Sequence, residues 1–244
     1  MSMNVVIAIP ARMGSSRFPG KPLCDLMGKP MIQWVVEAAK RAHLTDRIVV
    51  ATPDLEIVEA CNRFGAEAVL TREDHLSGTD RLAELSQTVV ADVYLNVQGD
   101  EPLISVDTLR ACASPLCEDT RVGMASVWSF CSAEEEENPA VVKVVTSEDG
   151  FALYFSRYAI PYARSPRIAP LKKHVGIYGY RREVLQAFSG WKVSPLEAAE
   201  GLEQLRFLEH GVRIKMAEGV GSELAVDTPE QAQLVREILS LRNA

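Results

Sequence analysis

Val5-Val6-Ile7-Ala8-Ile9-Pro10 runs without a break into Ala11-Arg12-Met13-Gly14-Ser15-Ser16-Arg17-Phe18-Pro19-Gly20-Lys21-Pro22. The first six residues are apolar with no polar alternation, the pattern of a strand buried on both faces, and Pro10 ends it because proline has no N–H for a ladder bond. Further apolar runs at Ile48 to Ala51, Ala68 to Leu70 and Val93 to Val97 each follow a stretch of helical pattern, near 30–43, 54–63 and 79–89. Strand and helix alternating in this way predict βαβ units, hence a three-layer α/β/α domain around a mostly parallel central sheet.

The rhythm changes after Phe130. An acidic run, Glu134 to Glu137, precedes two closely spaced strand-like runs, Val141 to Val145 and Phe151 to Phe155, for which antiparallel pairing is expected. Residues 157–173 carry three prolines and five basic residues and read as an irregular loop leading to a strand over Val175 to Tyr180. The stretch of about 130–180 is therefore expected to be a small antiparallel insert in a single domain spanning 1–244. Helices near 182–188, 195–210 and 229–241 and a strand at Val212 to Met216 complete the chain.

The 244 residues include 26 Lys plus Arg against 33 Asp plus Glu, a net charge of −7 that argues against a broad basic face for nucleic acid or anionic lipid. No apolar run near the N-terminus approaches the roughly 20 residues a membrane helix needs, and no basic segment precedes Val5, so no membrane insertion and a cytoplasmic location are expected. Five cysteines with no C-x-x-C spacing point to reduced thiols and not to a metal centre.

The loop after the first strand sits where an open parallel sheet binds ligands. Its glycines let backbone N–H groups curl around an anion, and Arg12, Arg17 and Lys21 supply the charge to neutralise a polyphosphate. The spacing fits neither the dinucleotide nor the Walker fingerprint. Gln98-Gly99-Asp100-Glu101-Pro102 follows the strand ending at Val97, so Asp100 should emerge at the same sheet edge, where one or two carboxylates suffice for a hard dication with phosphate oxygens. Asp227, before Thr228-Pro229-Glu230, reads from the residues alone as a helix N-cap. Ser77 or Thr79 likewise reads as the cap of a helix that could also touch a nucleotide.

Eight segments spread over essentially the whole chain carry a resemblance. They are IPARMGSSRFPGKPL (Ile9 to Leu23), GKPMI (Gly28 to Ile32), SGTDRLAE (Ser77 to Glu84), NVQGDEP (Asn96 to Pro102), ALYFSR (Ala152 to Arg157), KHVGIYGYRR (Lys173 to Arg182), LEQLR (Leu202 to Arg206) and VDTPE (Val226 to Glu230). Together they resemble the sugar nucleotidyltransferases, most closely the 3-deoxy-manno-octulosonate (KDO) cytidylyltransferases. The resemblance implies a Rossmann-like nucleotidyltransferase fold and the reaction CTP + KDO to CMP-KDO + pyrophosphate, which supplies lipopolysaccharide inner-core synthesis. It implies Mg²⁺ on Asp100 and Asp227, with Arg12 and Lys21 completing the catalytic set. Ala11, Gly14 and Arg17 would join them on the nucleotide, with Ser77, Gly78, Thr79, Arg81 and Gln98 holding cytosine and ribose. Arg157, His174, Tyr178, Glu203 and Gln204 would take the acidic sugar, and the insert would form a homodimer contact. From the residues alone, His174 also reads as a structural histidine, and Glu203 and Gln204 as solvent-facing helix positions. Alternatives are a cytidylyltransferase for 8-amino-KDO or another acidic sugar, and a nucleotide-sensing module without catalysis.

Overall fold

A computed structural model describes residues 3–220 and 224–242. Along the chain come β1 (Val5–Pro10), a 3₁₀ turn at Lys21–Leu23, β2 (Asp25–Leu26), β3 (Lys29–Pro30), α1 (Met31–Arg41), β4 (Ile48–Thr52), α2 (Leu55–Arg63), β5 (Glu67–Leu70), α3 (Gly78–Thr88) and β6 (Val93–Asn96). Then follow α4 (Val106–Glu118), β7 (Met124–Phe130), α5 (Ala133–Glu136), β8 (Lys143–Thr146), β9 (Ala152–Ser156), β10 (Lys172–Arg181), α6 (Arg182–Phe188), α7 (Pro195–Glu200), α8 (Gln204–Glu209), β11 (Ile214–Glu218) and α9 (Pro229–Arg242).

The main sheet runs β11-β7-β10-β6-β1-β4-β5, and β1 lies parallel between β6 and β4, as its apolar run predicts. Alternate β1 side chains serve opposite layers, because successive residues of a strand point to opposite faces. Val5, Ile7 and Ile9 pack with Ile32 and Val35 of α1 and Leu109 of α4, whereas Val6 and Ala8 pack with Leu82 and Leu85 of α3. Each fully buried side chain of this size stabilises the fold by about 1.5–3 kcal/mol, which is why both strand faces must be apolar.

Four details depart from the pattern read in the sequence. α4 and β7 extend the alternation through a stretch for which periodicity assigns no element, α4 carrying Pro115 in its interior. The expected insert divides in two. Residues 131–171 leave the main run of strands, with β8 and β9 forming an antiparallel pair that joins the sheet as a side branch where Lys143 of β8 meets Lys173 of β10, while β10 itself runs antiparallel between β7 and β6 in the middle of the sheet. The expected helix over 195–210 is two helices, α7 and α8, because Gly201 adopts φ 63°, a left-handed conformation that ends α7. The expected strand at Val212 to Met216 begins two residues later, at Ile214.

Candidate active site

β1 and β6 are adjacent parallel strands, so the loops that follow them leave the same edge of the sheet. Between them opens a cleft of about 350 Å³, walled by the 11–22 loop, the start of α3, Gln98 to Asp100 and Asp227. The two loops touch. A Cβ on Gly99 would stand 2.7 Å from the Pro10 carbonyl oxygen, so only glycine permits this approach. The 11–22 loop closes on itself, the Met13 carbonyl accepting N–H bonds from Ser15 at 3.0 Å and Gly20 at 3.1 Å.

Ala11, Arg12, Gly14, Arg17, Lys21, Ser77, Gly78, Arg81, Gln98, Asp100 and Asp227 all face this cleft. Ser77 also caps α3, accepting the Asp80 N–H at 3.2 Å, so cap and cleft wall coincide in one residue. Thr79 is buried just behind and donates its hydroxyl to Glu203 Oε2 at 2.7 Å. Arg81 is buried, and its Nη1 donates to the Arg72 carbonyl at 2.9 Å; burial and the neighbouring Arg12 hold its pKa below the usual guanidinium value. It therefore builds the wall with part of its guanidinium already engaged.

Three distant segments meet at one ammonium. Lys21 Nζ lies 2.6 Å from Asp100 Oδ2 and 3.0 Å from Asp227 Oδ1, and Arg17 reaches the other oxygen of Asp227 at 3.0 Å. Burial opposes the Lys21 charge, but the two carboxylates outweigh it and raise its pKa above the usual lysine value. The 226–227 segment is pinned by the Val226 N–H, which donates to the Asp100 carbonyl at 2.8 Å. Asp227 does not cap α9. Thr228 does: its hydroxyl accepts the Gln231 N–H at 3.4 Å, while Gln231 Oε1 accepts the Thr228 N–H at 3.0 Å, a reciprocal capping box. The Asp227 carboxylate is thereby left to the cleft. Two carboxylates converging on one cation beside a polyphosphate-sized cavity suit a hard dication, which needs few protein oxygens when phosphate and water complete its shell.

On the other side of α3, β10 and α8 assemble a second group of candidates. His174 is enclosed between Phe155 and Tyr178 with ring centroids 5.1 and 5.2 Å away, and its Nε2 is 2.9 Å from Ser126 Oγ. Burial lowers its pKa to about 3, so the imidazole is neutral at ordinary pH. Tyr178 donates its hydroxyl to Gln204 Oε1 at 3.2 Å. Glu203, bonded to Thr79, has its pKa raised by burial. Gln204 is buried and Glu203, at the N-cap of α8, is half-buried and bonded to Thr79, so neither is a solvent-facing helix position. Arg157 lies at the end of β9, and its guanidinium donates to the carbonyls of Glu200 at 2.7 Å, Pro139 at 3.1 Å and Gly201 at 3.4 Å. It clamps the α7–α8 turn that carries Glu203; like His174, Tyr178, Glu203 and Gln204, it does not line the cleft. His75 and Leu76 line the cleft although pattern reading passes over them; the only sequence signal is their place directly before the capping Ser77. His75 is held by Glu84.

A protein family described as "Cytidylyltransferase" matches residues 6–214. The chain is 46% identical over 250 residues to a 3-deoxy-manno-octulosonate cytidylyltransferase of Syntrophotalea carbinolica, covering 98% of this chain and 99% of the relative. Its identity to the Escherichia coli protein of the same name is also 46%, over 237 residues, 97% of this chain and 96% of that protein. Among solved structures, CMP:2-keto-3-deoxy-manno-octonic acid synthetase complexed with CTP superposes with a TM-score of 0.95 at 45% identity, covering 98% of this chain and 99% of that one.

Proposed function

The chain belongs to the cytidylyltransferase family, and from that premise we infer that it is a nucleotidyltransferase that activates KDO, converting CTP and KDO to CMP-KDO and pyrophosphate. The observation that carries this reading is the meeting of Lys21, Asp100 and Asp227 at the mouth of a phosphate-sized cleft in a chain this similar to its relatives over its full length. In the reaction the 2-hydroxyl of KDO attacks the α-phosphorus of CTP. The new bond joins that oxygen to phosphorus, the bond to the β-phosphate oxygen breaks, pyrophosphate leaves, and the hydroxyl proton is released.

No protein nucleophile is needed, because the task is to orient two anions and to neutralise charge that develops between them. Arg12 and Lys21 neutralise the triphosphate, and the 11–22 loop offers its backbone beside them. Asp100 and Asp227 would hold Mg²⁺, which when bound supplies positive charge at the α-phosphate and the attacking oxygen. Ser77, Gly78 and Gln98 hold the nucleoside. His174, Tyr178, Glu203 and Gln204 form the sugar side, linked to the nucleotide side through the Thr79–Glu203 hydrogen bond. Arg157 serves that side by fixing the Gly201 turn.

A cytoplasmic location accords with the need for CTP. No helix among the described residues is long and apolar enough to cross a membrane. A homodimer formed through the segment around β8 and β9 is part of the same proposal. Val144, Ala152 and Phe155 of that pair are buried within the chain, so they do not supply the contact; Leu153, Tyr158, Tyr162 and Ile168 are the exposed apolar groups, and β9 ladders with β8 alone. An edge strand flanked by exposed apolar groups is a natural two-fold contact.

The test is pyrophosphate release by the purified protein with Mg²⁺, each nucleoside triphosphate and KDO, 8-amino-KDO or a sialic acid. Turnover is expected with CTP and KDO, the product having the mass of CMP-KDO. No turnover of KDO, or equal turnover of the sialic acid, would refute the substrate assignment.

A further inference from the structure

Asp54 occupies the N-cap position of α2 in the extended conformation suited to a cap, φ −101° and ψ 119°, yet its side chain makes no bond to the helix it precedes. Its Oδ2 instead accepts the backbone N–H of Met13 at 2.8 Å, across 41 positions of sequence. Asp54 is itself tied down, its own N–H donating at 3.1 Å to the hydroxyl of Thr52, a fully buried residue at the end of β4. A chain of two hydrogen bonds through Asp54 thus ties the end of β4 to Met13. Met13 is the point on which the loop closes, since its carbonyl accepts from both Ser15 and Gly20, and its neighbours Arg12 and Gly14 line the cleft.

A carboxylate near a site for a polyanion works against binding unless it holds a cation, as Asp100 and Asp227 would, or has a structural task. Here it is spent on a single N–H whose loop carries the phosphate-facing groups. We propose that Asp54 is a positioning residue for the phosphate site: its hydrogen bond to Met13 fixes the backbone from which Arg12 and Gly14 face the triphosphate. The proposal rests on the reading of this loop as the triphosphate site. Without the bond, the loop must be ordered at the moment of binding, and that entropy is subtracted from affinity for the phosphates while the sugar side is untouched. Asp54 also faces Arg81, where its charge offsets that of Arg12. Asparagine keeps the acceptor oxygen and loses the charge, so it separates the hydrogen bond from the electrostatic effect.

The experiment compares Asp54→Ala and Asp54→Asn with wild type by steady-state kinetics, and by calorimetric binding of inorganic triphosphate, which reads the loop without base or sugar. Asp54→Ala should raise the KM for CTP and weaken triphosphate binding by about tenfold, with kcat and the KM for KDO within about twofold, and Asp54→Asn should recover most of the loss. An unchanged KM for CTP in Asp54→Ala, an Asn variant as impaired as the Ala variant, or equal rises in both KM values together with a lowered Tm would each overturn the proposal. Wild-type protein that binds inorganic triphosphate more tightly than Asp54→Ala but does not turn over CTP and KDO would sink the substrate assignment and leave the role of Asp54 standing.

Discussion

Lys21 Nζ stands 2.6 Å from Asp100 Oδ2, although 79 positions of sequence separate the two residues. The same ammonium contacts Asp227, and Arg17 takes the remaining oxygen of that carboxylate. Asp100 and Asp227 therefore offset the charges of Lys21 and Arg17, leaving Arg12 as the principal unopposed cation on the loop. A triphosphate entering such a corner needs further positive charge.

Metal removal should consequently weaken CTP binding itself and not only the chemical step. Titration calorimetry with and without EDTA is expected to show at least about a tenfold loss of affinity, the scale of one strong charge interaction in a partly buried site. Equal affinity in both conditions would mean that Lys21 and the arginines suffice.

Asp100→Asn and Asp227→Asn should each lower kcat by at least about 100-fold, as the loss of a charge-stabilising group generally does, with Tm little changed. Because Thr228 caps α9, the Asp227 variant reports on charge alone. Thr228→Ala supplies the contrast: about 1 kcal/mol of stability lost with turnover retained. Near-normal kcat in Asp227→Asn would remove that residue from the machinery.

His174 sets a pH dependence of stability. Its folded pKa of about 3 lies below the roughly 6.5 of an unfolded imidazole, so below pH 6.5 the unfolded chain takes up a proton that the folded chain refuses. The stability it contributes is complete above about pH 6.5 and is lost progressively toward pH 3. Wild-type Tm should fall more steeply between pH 7 and pH 4.5 than that of His174→Gln, and parallel curves would contradict the burial argument.

Arg157→Lys exchanges a fork bonded to three carbonyls for one ammonium. Stability should drop by about 1–2 kcal/mol, and the KM for KDO should rise as the Gly201 turn carrying Glu203 loosens, while the KM for CTP holds. A KM for KDO that stays at the wild-type value would detach Arg157 from the sugar side.

Light scattering should give twice the chain mass at assay concentrations, and Leu153→Asp, which puts a charge on the exposed β9 edge, should shift it toward the monomer. A fully active wild-type monomer would refute the dimer.

By itself the sequence determined the layered α/β plan, the position of β1 as an interior strand and the cleft loop. These follow from local pattern: the uninterrupted apolar run of β1 is the mark of a doubly buried strand, and glycines with cations after such a strand sit at the binding edge of the sheet. Local pattern also placed Asp100, because the strand before it dictates where it emerges. The family resemblance also pointed Asp227 to the cleft, but the physical reasons for the rest lay in the tertiary structure, since each turned on a partner far away in sequence. By local pattern alone Asp227 next to Thr-Pro-Glu is indistinguishable from a helix cap; the fold shows Thr228 doing the capping and Lys21, 206 positions away, bonded to the carboxylate. Arg157 looks like a free fork until the carbonyls of Pro139, Glu200 and Gly201 are found around it. Asp54 carries every mark of an ordinary N-cap, yet a hydrogen bond is made to whichever donor the fold brings within 3 Å, and the fold brought Met13.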